Sequence, residues 1–227
     1  MKKMSIAVIG LGRFGSAMAV SLTELGQDVV GVDSDEDRVQ KHADLISSAV
    51  ALDATDERAL KRAGIADVDA AVISIGENIE ASLLAVMLLK DLEVPRIIAK
   101  AVTPLHGRIL QRLGVDRVIF PEREMAIRVA HSLVVANALD YIELSRDFSI
   151  VEVPAPAEFA GRTLKDLQLR NRYGLTLIAI KRKSGAGSEE TTIAPSADDL
   201  IESGDVLSLL GPNERLAHID RLLAATK

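Results

Sequence analysis

Gly10-Leu11-Gly12-Arg13-Phe14-Gly15 sets three glycines at GxGxxG spacing, directly behind an apolar run and directly ahead of a helical one. That pattern suits phosphate binding. The first glycine permits a tight turn, the second lets a phosphate approach the backbone, and the third lets the helix pack on the strand. The phosphate then sits on unpaired N–H groups at the helix start. The fingerprint alone is weak evidence, but here a second apolar run, Asp28–Val32, leads into Asp33, eighteen residues after Gly15. A carboxylate at that strand end accepts hydrogen bonds from ribose hydroxyls and repels a 2′-phosphate, so the two signals together describe a dinucleotide-type site. By spacing alone, Arg13 is equally a guanidinium reaching further phosphates or a solvent-facing arginine at a helix start. Asp53-Ala54, Ser74-Ile75-Gly76 and Lys100 close the third, fourth and fifth apolar runs. They fall at the sheet edge where such folds bind ligands, although each also fits a structural loop.

Those residues need a frame. Short β-branched runs (Ser5–Ile9, Asp28–Val32, Ala49–Leu52, Ala70–Ser74, Arg96–Ala99, Arg117–Phe120) alternate with amphipathic stretches such as Ser16–Leu25, Asp56–Ala63, Ile79–Leu89 and Pro104–Leu113. The alternation predicts an α/β fold, a Rossmann-type doubly wound parallel sheet. Asn78 or Glu77 can cap the fourth helix, and Gly26 and Gly114 end others. From Glu122 to Leu139 the pattern is helical but apolar on nearly every side, through Ala126, Ile127, Val129, Ala130, Leu133, Val134, Val135, Ala136, Ala138 and Leu139. Such a helix has to be covered on more than one side, and a second subunit is the economical cover.

A second pattern starts near Phe148. Strands are expected at Ser149–Val153, Leu175–Lys181, Thr191–Ala194 and Val206–Leu210, with a short helix at Leu164–Asn171 and a terminal helix at Glu214–Ala224. Gly185–Ser188 reads as a hairpin loop and Ser203-Gly204-Asp205 as a turn. The expected domains are 1–121 (Rossmann), 122–146 (crossover or dimerisation helix and hinge) and 147–227 (small mixed α/β).

Composition narrows the function classes. The chain has no cysteine, which removes disulfides, thiol nucleophiles and Cys-based zinc sites together. Its formal charge is -6 with no basic run, against phosphate-backbone binding of nucleic acid. Aromatics are only 3% of residues, so the core has to be Ala/Val/Ile/Leu packing, as in a parallel sheet covered by helices. Met1-Lys2-Lys3-Met4 mimics the charged start of a signal peptide, but Gly10 and Gly12 interrupt the apolar run behind it. The longest central apolar run, Ala81 to Leu89, is too short to span a bilayer, so a cytoplasmic protein is expected. A small NAD-dependent oxidoreductase is the rival reading. The fingerprint and Asp33 suit it, but His42, His106, His131 and His218 are scattered, and no HExxH, GxSxG or Tyr-x-x-x-Lys arrangement occurs. A redox-sensing transcription regulator would need a basic helix-turn-helix, which neither end accommodates.

Over essentially its whole length the chain resembles the RCK (TrkA-N/TrkA-C) family, which regulates K⁺ channels and the Trk and Ktr transporters. The resemblance rests on Gly10–Gly15 read as GLGRFG, Asp33, Asp53-Ala54-Thr55, Ile75-Gly76 with Asn78, Lys100-Ala101 and Arg117-Val-Ile-Phe-Pro-Glu122. It continues through Gly161-Arg-Thr-Leu164, Leu167-Gln-Leu-Arg170, Tyr173-Gly174, Ile178-Ala-Ile-Lys181, Pro195 and Gly204-Asp205. Within the family it is most similar to the single-copy Ktr regulators.

The resemblance implies a cytoplasmic regulatory subunit without enzymatic turnover, assembled from dimers into a ring, commonly an octamer. The ring would dock on an integral membrane K⁺-translocating subunit of the KtrB or TrkH kind. Adenine nucleotide, ATP against ADP or NAD/NADH, would fill a cleft matched by Gly10, Leu11, Gly12, Arg13, Phe14, Gly15, Asp33, Asp53, Ala54, Ile75, Gly76, Glu77, Lys100, Ala101, Val102, His106 and Glu122. Glu122 beside a triphosphate makes sense only with a cation between them. Mg²⁺ is the first choice because it prefers oxygen ligands, with Na⁺ or Ca²⁺ as alternatives. Arg170, Thr176 and Pro195 match positions at which some Ktr regulators hold cyclic di-AMP across a dimer interface.

Overall fold

The computed structural model describes residues 3–134, 139–183 and 189–216. The chain divides into two compact units, Met1–Pro121 and Glu122–Lys227.

The first unit is built on six parallel strands, β1 (Ser5–Ile9), β2 (Asp28–Asp33), β3 (Ser48–Ala51), β4 (Ala70–Ile73), β5 (Ile97–Lys100) and β6 (Arg117–Ile119). Their spatial order is β3-β2-β1-β4-β5-β6. All four residues of β4 are buried, as a central strand covered on both faces requires. The core is aliphatic, with Ile9, Ile73, Leu89, Ile97 and Leu110 fully enclosed. The order reverses between β1 and β4, which opens a crevice at their carboxyl ends, where ligands of such sheets bind.

The helices are α1 (Arg13–Glu24), α2 (Glu36–His42), α3 (Glu57–Arg62), α4 (Ile79–Asp91) and α5 (Pro104–Arg112). Four start under a side-chain cap, with Asp35, Asp56, Asn78 and Thr103 each accepting a first-turn N–H. The cap of α4 is therefore Asn78 rather than Glu77. Gly26 and Gly114 take left-handed φ just past the ends of α1 and α5. The sequence reading did not pick out α2, which buries none of its residues and so shows no apolar period.

In the second unit the predicted helix through Leu139 extends too far. Helix α6 runs Pro121–Val134, and by Leu139 the backbone is laddered, its N–H donating to the Glu152 carbonyl at 2.7 Å. Strand β7 (Asp140–Glu143) follows and pairs with β8 (Phe148–Pro154). Apolarity decided the sequence reading there, and buried strands share it with helices. Val135, Ala136 and Ala138 of that expectation lie outside the described residues. So do the Gly185–Ser188 loop and the terminal helix beyond Leu216.

Strands β9 (Arg162–Thr163), β10 (Thr176–Lys183), β11 (Glu189–Ile193), β12 (Leu200–Ile201) and β13 (Val206–Pro212) complete the unit. The main sheet is antiparallel in the order β11-β10-β13-β8-β7, and β9 pairs with β12. The expected helix Leu164–Asn171 is two short ones, α7 (Leu164–Leu167) and α8 (Leu169–Tyr173), broken at Gln168, where φ is 47°. Val151, Phe159, Leu175, Leu207 and Leu209 form the core of the unit.

Asp205 locks this unit. Its carboxylate accepts Arg182 Nε at 2.8 Å, Arg182 Nη2 at 2.7 Å and the Glu202 N–H at 2.8 Å, with 1% of the residue exposed. Burial alone would push this carboxyl up, but Arg182 and the Glu202 N–H outweigh burial and hold it below its ordinary 3.8. A folded-state value below the unfolded one contributes stability above about pH 4 that is lost as pH falls through the folded value. Asp205→Asn should therefore cost about 2 kcal/mol at neutral pH and flatten the acid limb of urea unfolding below about pH 4. An unchanged acid limb in the variant would contradict this role.

Candidate functional site

The glycine loop is fixed by steric limits on both sides. Gly10 follows β1 with φ at 96°, a conformation L side chains rarely adopt, and its N–H donates to the Val32 carbonyl at 2.7 Å. A Cβ on Gly15 would stand 1.8 Å from the Gly10 carbonyl oxygen and 2.9 Å from Ser74 Oγ, so α1 packs on β1 only because that atom is missing. Gly12 differs. A Cβ there would meet only Arg38 Nη1, at 3.9 Å, so this side of the loop stays open.

Gly12 is also the N-cap of α1. It offers no side-chain bond, and the first turn holds no acidic residue. The positive end of the twelve-residue α1 dipole thus has no carboxylate in its own first turn, which favours an anion.

Asp33, at the end of β2, reaches across to this loop. Its Oδ2 accepts the Leu11 N–H at 2.7 Å and its Oδ1 accepts the Asp35 N–H at 3.0 Å. The carboxylate is buried and oriented, and each oxygen keeps lone-pair capacity beyond the backbone N–H it holds.

The other cleft candidates fall on the same edge. Asp53 and Ala54 follow β3. The Thr55 N–H at 2.8 Å and Thr55 hydroxyl at 2.7 Å both donate to Asp53 Oδ1 and hold its carboxyl below the usual range. Ile75, Gly76 and Glu77 follow β4, with Glu77 exposed. Just before them, the buried Ser74 hydroxyl has no hydrogen-bond partner among the described residues. It is a polar atom that water or a ligand has to satisfy. Lys100 ends β5 with Nζ 5.8 Å from the Phe14 ring centroid and 3.8 Å from where a Gly76 Cβ would be. Its ammonium therefore lies between the β1 and β4 loops. Ala101 is buried and Val102 exposed.

His106 is enclosed, and burial lowers its pKa. Its Nδ1 faces the Val102 N–H at 3.5 Å, while its buried Nε2 has no hydrogen-bond partner among the described residues. The histidine thus braces the turn after β5. Glu122 belongs to the second unit, in the first turn of α6, and Arg13 is exposed at the start of α1. Sequence reasoning missed Arg38, whose only signal is its place three residues after the Asp35 cap.

In the second unit, Arg170 lies on α8, exposed Thr176 opens β10, and Pro195 follows β11, whose next residue Ala194 donates to the Ile178 carbonyl at 2.8 Å. All three sit near one end of β10.

A doubly wound sheet with an open glycine loop, joined to a small antiparallel domain, defines a Rossmann-type nucleotide-binding protein. The TrkA-N domain model matches residues 6–121 and the TrkA-C domain model residues 148–224. The chain is 41% identical over 225 residues to the Ktr system potassium uptake protein C of Bacillus subtilis, covering 99% of this chain and 100% of the relative. It is 38% identical to the Ktr system potassium uptake protein A of the same organism, covering 92% of each. Among solved structures, the GsuK RCK domain matches with a TM-score of 0.63 at 21% identity, covering 97% of this chain and 48% of that one. The GsuK channel bound to NAD matches with a TM-score of 0.61 at 20% identity, over 97% of this chain and 39% of that one. The chain belongs to the Ktr/Trk family of potassium uptake regulatory proteins.

Gly15→Ala should force α1 off β1, costing about 1–3 kcal/mol as an overpacked contact. Thermal unfolding should show that loss, and a variant as stable as the parent would contradict the contact.

Proposed function

We propose that this chain is a nucleotide-sensing regulatory subunit. It sits at the cytoplasmic face of a membrane K⁺-translocating partner of the KtrB or TrkH kind and switches that partner according to the adenine nucleotide in its cleft. The observation that carries this reading is the open side of the glycine loop at Gly12, beside a helix start with no acidic residue in its first turn and the fixed Asp33 carboxylate. Together they accommodate a phosphate next to a ribose. The relatives named as potassium uptake proteins support the choice of target.

ATP, ADP and NAD(H) share the adenosine half that Asp33 would hold, so they compete. They differ at the phosphate end, where Arg13 and Lys100 supply cations. If Glu122 meets a γ-phosphate, as the family resemblance implies, the two would need Mg²⁺ or another cation between them. Among the described residues no group of three His, Cys, Asp or Glu could hold a metal alone. Such an ion would complete its shell from phosphate oxygens and water. The proposed role is binding rather than turnover, which the relatives named as potassium uptake proteins support.

Self-assembly fits two exposed apolar faces. On α6 the face is Met125, Val129 and Leu133, the last 80% exposed, with Ile127 exposed on another side. On α4 and α5 it is Leu84, Met87, Leu105 and Ile109. Two different faces on one chain allow dimers to link into a closed ring, and an octamer is the proposed state. Cyclic di-AMP is the proposed second ligand, at Arg170, Thr176 and Pro195, with two symmetry-related arginines facing its two phosphates.

If Asp33 holds the ribose and the loop together, Asp33→Ala should weaken ATP, ADP and NADH alike by about 1.5–3 kcal/mol. Calorimetry giving unchanged affinity for all three would overturn the assignment. Leu133→Glu would place a charge in a covered apolar face. Light scattering should then show smaller particles than the parent gives, and an unchanged particle mass would remove α6 from the interface.

A further inference from the structure

The cleft holds a cation that the glycine fingerprint does not supply. Arg38 on α2 places Nη1 3.6 Å from Asp33 Oδ2 and Nε 3.3 Å from Asp35 Oδ2. The same Nη1 is 3.9 Å from where a Gly12 Cβ would project. The guanidinium therefore stands over the second glycine, on the side that glycine leaves open, and beside the carboxylate that faces the ribose. Its side chain remains 45% exposed, so it has room to turn toward a ligand.

We propose that Arg38 is a specificity-determining residue at the ribose 2′ position, which weakens the cleft's rejection of a 2′-phosphate and lets NADPH compete with NADH. The proposal deepens the reading of the cleft as an adenine-nucleotide site and rests on it.

An acidic residue at the end of β2 bonds the 2′-hydroxyl and repels a 2′-phosphate, whereas a nearby arginine accommodates that phosphate. Here both are present and in contact. Asp33 cannot turn away from an incoming phosphate, because the Leu11 and Asp35 N–H groups fix both of its oxygens. Its charge can only be offset in place. Arg38 does so within 4 Å and brings N–H donors suited to a phosphate. Asp35 opposes it by drawing the Nε edge away. The balance at the 2′ position is thus set by two carboxylates and one guanidinium, and each can be altered separately.

The test is fluorescence titration of the full chain with NADH and with NADPH, reading the ratio of their dissociation constants. Arg38→Ala should raise the NADPH-to-NADH ratio about tenfold, the loss of one charge-assisted contact. Arg38→Glu should raise it further. Asp35→Asn should lower the ratio, because asparagine still caps α2 but no longer adds negative charge. A ratio that stays flat across the three variants while NADH still binds would overturn the role of Arg38 and leave the nucleotide cleft standing. Failure of the parent chain to bind either dinucleotide would overturn the role of Arg38, and the cleft reading falls with it only if a parallel titration shows that ATP and ADP do not bind either.

Discussion

The 2.7 Å hydrogen bond from the Leu11 N–H to Asp33 Oδ2 ties together everything the cleft requires. It joins the loop after β1 to the end of β2, and so holds the start of α1 against the carboxylate proposed to meet a ribose. Gly15 sets the depth of that arrangement by allowing α1 onto the Gly10 carbonyl, and Gly10 sets its direction through a left-handed turn. Only then does Gly12 become an open face instead of a packed one. One buried carboxylate thus fixes the backbone and, on the proposed reading, also serves the ligand.

Most of this was legible in the sequence, because glycine spacing and strand ends are backbone requirements written directly in residue type. The six parallel strands followed from β-branched runs alternating with amphipathic stretches. Their order needs only the rule that a doubly wound sheet reverses beside its first strand. The misses share one cause. Helix α2 is polar on every side and is held by the Asp35 cap, so periodicity could not reveal it. Strand β7 follows a helix whose apolar run in the sequence continues past Val134, and apolar residues alone do not separate strand from helix. Gln168 breaks a helical pattern with a backbone angle that no side-chain period announces. Arg38 escaped notice for a further reason, since its position follows from a helix the pattern did not show.

The two units divide the labour on this reading. The aliphatic parallel unit presents loops to a ligand, while the antiparallel unit is stiffened by Asp205 and its bonds to Arg182 and Glu202. A nucleotide can move a ring between two shapes only by binding one better than the other. Driving such a population from 1:99 to 99:1 takes about 5.5 kcal/mol per cooperative unit. Spread over eight cooperating sites, that is under ~1 kcal/mol each, the scale of a single modest phosphate contact. A cleft whose ligands share the adenosine half and differ at the phosphate end can supply that difference without tight discrimination in overall affinity.

The central claim is that occupancy of this cleft, read by nucleotide type, sets K⁺ movement through a membrane partner. The direct measurement is K⁺ flux into vesicles carrying that partner with the full-length chain bound, under saturating ATP and then saturating ADP. The account expects distinctly different flux in the two states, with flux in the absence of nucleotide differing from at least one of them. Equal flux with ATP, with ADP and with neither, while both nucleotides demonstrably bind, would contradict it.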